Sequence, residues 1–251
     1  MSIRFTSMLK RQTVQFVFRL IIFLSVLGLY LYDKDLMYRL ATQPIQMGFN
    51  ILHFVWLIFM VMMIAHLVPN DRLPMAMRKS YPQNYVEVEG YSEMELLRFV
   101  QQQNVKAWMV MLVWLIGNGI VGLFYLLDFI GTADLLMLTV FFYLCDYICI
   151  LFFCPFQTGI MKNKCCVNCR IYDWGHFMMF TPMLFIPNFF SWSLFFTSAV
   201  VLIHWEVVYA KHPERFWSGS NKTLQCAHCK DKTCQYKTAV ANMVKGSASH
   251  D

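Results

Sequence analysis

The sequence predicts an all-α, polytopic membrane bundle, and three observations carry that prediction. Of its 251 residues 58% are hydrophobic and only 14% charged, where an ordinary soluble domain carries about 25% charged residues. Apolar runs of roughly 20 residues recur along the chain, the length a helix needs to cross a hydrocarbon core of about 30 Å. The charges themselves are gathered between those runs. A lipid-facing surface has no use for charge, so this segregation fits a bundle of spans joined by polar loops. The expected architecture is four full spans plus a proline-broken re-entrant hairpin (or fifth span), with a small cysteine-rich loop and tail on the cytoplasmic face.

The first run, 12–32, follows Arg4, Lys10 and Arg11 and is too long for the apolar core of a cleavable leader, so it reads as a retained span. Arg19 lies inside it, about two turns from its basic end. Such a residue either snorkels to the headgroups or forms a buried ion pair. The second run, 44–68, holds Asn50, His53 and His66, of which His53 is deep enough to need a partner in a neighbouring helix.

Residues 69–105 are polar, and Pro69, Pro74 and Pro82 rule out one continuous helix through the first half. Ser92 followed by Glu95 reads as a capping box opening an interfacial helix. The third and fourth spans, 107–130 and 135–156, are joined by Gly131-Thr132-Ala133-Asp134, a connection short enough to make them an antiparallel hairpin. Gly117, Asn118 and Gly119 in the third span suit close helix approach. The fourth carries Cys145, Asp146, Cys149 and Cys154. Buried thiols are ordinarily small apolar filler, whereas a carboxylate mid-span is costly unless paired or protonated. Asp146 is therefore a candidate for ion pairing, proton movement or cation binding, with Arg19 as its partner at comparable depth.

The stretch 177–210 is broken by Pro182 and Pro187, and its roughly 34 residues fall between the lengths of one span and two. Charge decides the expectation. If the stretch enters and returns, eighteen Lys and Arg lie on one face and two, Lys34 and Arg39, on the other; a single crossing gives near balance, against the positive-inside tendency. The returning hairpin is preferred, with 182–191 and Asn188 in the candidate functional interior, and the basic face, N-terminus included, cytoplasmic. The chain divides into a four-span bundle (1–156), a cysteine loop with hairpin (157–210) and a tail (211–251) disordered toward its end.

Six of the nine cysteines flank that hairpin. Cys166-x-x-Cys169 and Cys226-x-x-Cys229 each bring two thiolates to one point, and two such pairs complete a tetrahedral zinc shell. Cys165, Cys234 and His228 are additional ligand candidates. Lys164, Arg170, Lys230 and Lys232 favour the thiolate, and a reducing cytoplasm argues against simple disulfides. An excess of thiols over what zinc requires keeps an iron–sulfur cluster as the alternative cofactor, although ferredoxin spacing is missing. Asp173, His176, His204 and Glu206 form a polar shell, or a separate acid–base or metal site, beside the cysteines; Trp174, Trp205 and Trp217 read as interfacial anchors.

Three functions follow from this pattern. The favoured one is a membrane protein whose hairpin is clamped by structural zinc. The others are a redox protein with an iron–sulfur cluster or thiols exchanging with a quinone or protein, and a soft-metal or cation transporter using Cys145, Asp146 and Cys149. The lipid bilayer is the expected environment, with a protein partner or oligomer open. Nucleic acid is not expected as a partner, since no basic stripe interleaves with aromatic residues. No substrate or reaction is legible.

Overall fold

In the computed structural model, residues 6–36, 51–71, 73–163 and 165–247 are described. Among them the regular structure is helical, and the one β pairing is an isolated bridge between Glu87 and Asn221. Helix α1 (Ser7–Tyr32) starts where the Thr6 hydroxyl accepts the Leu9 amide. Helix α2 (Ile51–Ala65) follows, then the single turn α3 (Met75–Arg78). Helix α4 (Glu93–Leu126) opens on Ser92, whose hydroxyl accepts the Glu95 amide. Helix α5 (Thr132–Leu151) is fixed at its start by the Gly131 amide, 2.7 Å from an Asp134 carboxylate oxygen. Helices α6 (Gly175–Phe180), α7 (Phe189–Lys211) and α8 (Thr233–Ser247) complete the order.

Four of these, α1, α4, α5 and α7, are long and apolar enough to cross a membrane, and α2 is a shorter apolar helix. Large apolar side chains face outward, among them Phe18, Trp108, Leu112 and Ile203. Lipid covers such a surface without cost, whereas water would not. The sequence expectation is amended at the third span: the interfacial helix begun at Ser92 and that span are one helix of 34 residues, because nothing between 93 and 126 breaks it. Residues 37–50, and with them Arg39 and Asn50, lie outside the described residues, as does Lys164.

The proline-broken stretch turns back on itself. From Gly175 it runs through α6 and a 3-10 turn (Thr181–Phe185), then reverses at Pro187 into α7, which Asn188 caps by accepting the Phe190 amide. Phe190 stacks edge-on with His53 at the start of α2, and the Trp56 indole donates to Ser193. At the other end of α7, the Trp205 indole donates 3.0 Å to the Arg170 carbonyl. The two ends of the segment therefore meet. Asn188 itself is exposed on the outer surface, not placed in the interior, because capping α7 holds its side chain at the turn.

Two cores result. One gathers Val110, Met161, Trp174, Trp205 and Phe216; the other gathers Met63, Leu135, Phe180, Met183 and Val201. Trp174 and Trp205 are 3% and 1% exposed, so they are core residues and not interfacial anchors. Their indole N–H groups find the Glu206 carboxylate and the Arg170 carbonyl, which is what permits full burial.

Candidate functional site: two cavities that meet at Asp146

Helix α5 ends in a cavity on either side. The polar one, about 440 Å³, lies against α1 and the end of α2. From α1 it takes Arg19, which is 7% exposed although it sits in an apolar helix. Its guanidinium donates 2.6 Å to the Tyr143 carbonyl and 2.8 Å to Asp146, and lies 4.0 Å and 4.1 Å from the ring centres of Tyr143 and Tyr147. A carboxylate, a carbonyl and two π faces together replace the water that a buried guanidinium gives up.

His176, in the first turn of α6, and His66, just past α2, place Nε2 and Nδ1 3.0 Å apart. That spacing requires one imidazole to donate and the other to accept. Asp173 lines the same cavity and has no hydrogen-bond or ion-pair partner among the described residues. Burial pushes its carboxyl up to about 8, against the opposing pull of the Lys79 ammonium. Asp173 shares the lining of this cavity with His66 and His176.

The second cavity, about 410 Å³, is apolar. Trp114, Phe142 and Phe156 form much of its wall, and Cys145, Cys149, Cys154, Cys166 and Cys169 also face it. Asp146, Ile150, Tyr172 and Gly175 border both cavities. Gly175 is needed there: a Cβ on it would stand 2.9 Å from the Asp146 carboxylate. Cys149, near the end of α5, and Cys154, five residues on, both stand on the wall of this cavity.

The cysteine loop is held by two lysines. Lys79 is 1% exposed, donates 2.8 Å and 2.7 Å to the Val167 and Cys169 carbonyls, and points toward the Trp205 and Phe216 rings. Burial lowers its ammonium to about 8. Lys237, on α8, reaches back to donate 2.6 Å to the Cys149 carbonyl and 2.7 Å to Gln157, with its ammonium 3.9 Å from the Cys166 sulfur. The tail is further tied down where Thr6 donates to the Asp231 carbonyl and the Met75 amide to the Asp231 carboxylate.

Loop and tail thus meet, but through a different cysteine pair from the expected one. Cys165 and Cys234 lie near one another, and that proximity lowers one thiol of the pair, Cys165, and raises the other. Cys226 and Cys229 are near enough to act electrostatically on Cys234. Cys169 is buried in the core, its thiol pushed up to about 12 by that burial, and Cys166 faces Gln157 and Lys237. Among the described residues no three His, Cys, Asp or Glu side chains converge closely enough to hold a metal ion.

The expected polar shell divides in the same way. Asp173 and His176 face the polar cavity. Glu206 instead takes a bidentate contact from Arg170, Nη1 at 2.8 Å with Nη2 on its second oxygen, plus the Trp174 indole at 2.8 Å. His204 and His228 are exposed. Sequence reasoning missed His66 as a site residue, and missed Lys79 and Lys237 altogether. Lys79 is marked only by its burial, a tertiary property, and Lys237, half-buried on a polar helix, by its contacts alone. No family model, curated protein or solved structure matches the chain.

Proposed function

We propose that the protein is a membrane thiol oxidoreductase that passes electrons from cysteine thiols to a quinone-class carrier dissolved in the bilayer. One observation carries the reading: Cys149 and Cys154 share the wall of an apolar cavity, and Asp146 borders both that cavity and the one lined by His66, Asp173 and His176. The reaction balances. Two thiols lose two electrons and two protons to become a disulfide, and the quinone takes up both to become a quinol. The apolar cavity suits the carrier's ring, Asp146 and Tyr172 stand at its polar edge, and Asp173 with the histidine pair can supply and collect the protons. The Arg19 pairing of Asp146 argues against the cation-relay alternative, since a cation would have to displace a guanidinium.

In a bilayer the segment from Gly175 to Lys211 is read as a re-entrant hairpin. Supporting this, the start of α1 contacts the tail through Thr6 and Asp231, and the tail contacts the cysteine loop through Lys237 and Cys166, as a shared face requires. Lysine and arginine placement assigns that face to the cytoplasm, where a reducing thiol pool keeps the donors reduced.

The test uses the reduced full-length protein in detergent with a short-chain benzoquinone. Quinol should form with a Cys149–Cys154 disulfide, and Cys149→Ser and Cys154→Ser should each abolish it; quinol formation undiminished in both variants would sink the reading. A second reading, structural zinc on Cys166, Cys169, Cys226 and Cys229, is favoured by the adjacency of loop and tail through Cys165 and Cys234. One zinc per purified chain, lost in Cys226→Ser, would support it instead.

A further inference from the structure

A third cavity, of about 360 Å³, shares no lining residue with the two that border Asp146. Its walls come from α3 (Arg78), from the 3-10 turn Pro82–Asn84 (Gln83, Asn84) and from the tail (Lys222, Thr223, Lys230). These segments are tied together. The Lys222 amide donates 2.7 Å to the Val86 carbonyl, and the Val88 amide 2.9 Å to that of Ser220. Arg215 donates 3.2 Å to the Ser80 carbonyl, and the Lys230 amide lies 3.2 Å from the Met75 sulfur. Charge in the cavity is one-sided: three cations, Arg78, Lys222 and Lys230, line it, and among the described residues no Asp or Glu does. Lys79 borders it too, but its ammonium is turned inward to the Val167 and Cys169 carbonyls. The carboxylates that contact these cations stand outside and are almost fully exposed: Asp71 is 2.8 Å from Arg78, and Glu89 is 3.8 Å from Lys222. Arg78 is braced by Asn84, whose amide oxygen accepts the same Nη2 that Asp71 holds, so among the described residues Nη1 is left open to a ligand. The exposed Lys230 ammonium likewise has no hydrogen-bond or ion-pair partner among the described residues. Like charges gathered on one cavity repel one another, and a bound anion relieves that repulsion.

We propose that this cavity is an anion site that takes a phosphate ester, with Arg78 as its fixed cation and Lys222 and Lys230 as its mobile ones. A phosphomonoester carries close to two negative charges near neutrality and three oxygens that accept hydrogen bonds. Three cations and the exposed Gln83 carboxamide supply donors for those oxygens, whereas a carboxylate, with one charge and two oxygens, leaves part of the site unmatched. The volume lies within the range of small-molecule sites, about 300–1,000 Å³, so the polar body of the ester is enclosed along with its phosphate. On a cytoplasmic face such a group has two sources, the headgroup of an anionic lipid and a soluble phosphate ester. The site uses no thiol and holds or fails independently of the quinone reading.

The experiment follows thermal unfolding of the full-length protein in a neutral detergent, at constant ionic strength, with three probes. These are glycerol 3-phosphate, dioctanoyl phosphatidic acid (the same head on acyl chains) and glycerol as the uncharged control. A ligand that binds only the folded chain raises the melting temperature in a saturable way. Dioctanoyl phosphatidic acid should do so and glycerol should not. Glycerol 3-phosphate saturating at a similar concentration identifies a soluble ester as sufficient; a half-saturation at least about tenfold higher identifies the lipid. In Lys222→Gln/Lys230→Gln the unliganded protein should melt as wild type does, while half-saturation rises about thirtyfold for the loss of two surface charge contacts. Lys222→Arg/Lys230→Arg should bind as wild type does, because the charge is kept. If the double glutamine variant melts early, Lys230→Gln alone decides, since that side chain is exposed, and its half-saturation should rise about fivefold. No saturable shift with either phosphate probe, an equal shift with glycerol, or wild-type half-saturation in the glutamine variants overturns the site and leaves the quinone reading untouched.

Discussion

Arg19 and Asp146, 127 positions apart in the chain, form an ion pair of 2.8 Å between two apolar helices. The partners are not equally buried: the Arg19 side chain is 8% exposed, that of Asp146 31%, because the carboxylate faces the cavities. Removing one member of a buried pair strands the other and costs up to about 3–5 kcal/mol. The stranded group decides which loss is worse. Asp146→Asn leaves an enclosed guanidinium without its counter-charge, while Arg19→Gln leaves a carboxylate that the cavity can hydrate. Thermal unfolding in detergent should therefore rank Asp146→Asn as more destabilising than Arg19→Gln, and the combined Arg19→Met/Asp146→Leu variant should recover part of the loss. Equal effects that simply add would show that the pair is not coupled.

Asp173 makes stability depend on pH in a defined direction. Its carboxyl, raised by burial to about 8 in the fold, keeps a proton that the unfolded chain releases near 4. Between those values the folded state binds more protons, so stability falls as pH rises, by at most about 1.4 kcal/mol per unit, and levels off above 8. Lys79, lowered by burial to about 8, acts oppositely: from 8 up to its ordinary value near 10.4 the unfolded chain binds the extra proton and stability rises. The combined contribution has its minimum near pH 8. Asp173→Asn should flatten the fall between pH 5 and 8 in a series of thermal melts. A variant melting curve with the wild-type slope in that window would remove Asp173 as the cause.

Lys79 also shapes the cysteine loop. Its two hydrogen bonds satisfy the Val167 and Cys169 carbonyls within a core that includes Trp205 and Phe216. Lys79→Met fills much of the same volume and leaves both carbonyls without a donor, at about 1–3 kcal/mol for each buried acceptor. The loop should loosen before the bundle does. Maleimide labelling of Cys169, which is 6% exposed, is expected to accelerate at least about tenfold at a temperature where the variant remains folded. Unchanged labelling would show that the loop is held by its other contacts.

The helical class and the spans at α1, α4 and α5 were legible because a bilayer imposes length and apolarity directly on the chain, whereas the expected second span is a shorter apolar helix and α7 is itself of span length. The Arg19–Asp146 pair was legible for the same reason: two charges in apolar helices at similar depth have few alternatives to one another. The cysteine site was legible only in part. The two-residue spacing of Cys166 with Cys169 is a local property, but Ile171 and Trp174 pack into the core and take Cys169 with them, and that packing is set by α7. Trp174 and Trp205 look like interfacial anchors until Glu206 and Arg170 are known to meet their indoles. Lys237, in a polar tail helix, gave no sign of reaching the end of α5.

The close helix contact moved in the same way, from Gly117 and Gly119 to Gly122. A Cβ at either of the first two meets nothing within 4 Å, whereas one at Gly122 would overlap the ring of Phe185, the last residue of the 3-10 turn that precedes the reversal into α7. Gly122 is buried, and Phe185 packs into the second core. Ala at 122 gains helix propensity of about 1 kcal/mol and loses more to the displaced ring, since overpacking costs about 1–3 kcal/mol and the ring has core on its other side. Gly117→Ala and Gly119→Ala are expected to leave thermal stability unchanged or slightly raised, and Gly122→Ala to lower it. Phe185→Leu introduced into Gly122→Ala should restore part of the loss, because the smaller side chain vacates the space the new methyl needs. If Gly122→Ala melts with the other two, Phe185 is free to move, and the turn of the hairpin is not held against α4.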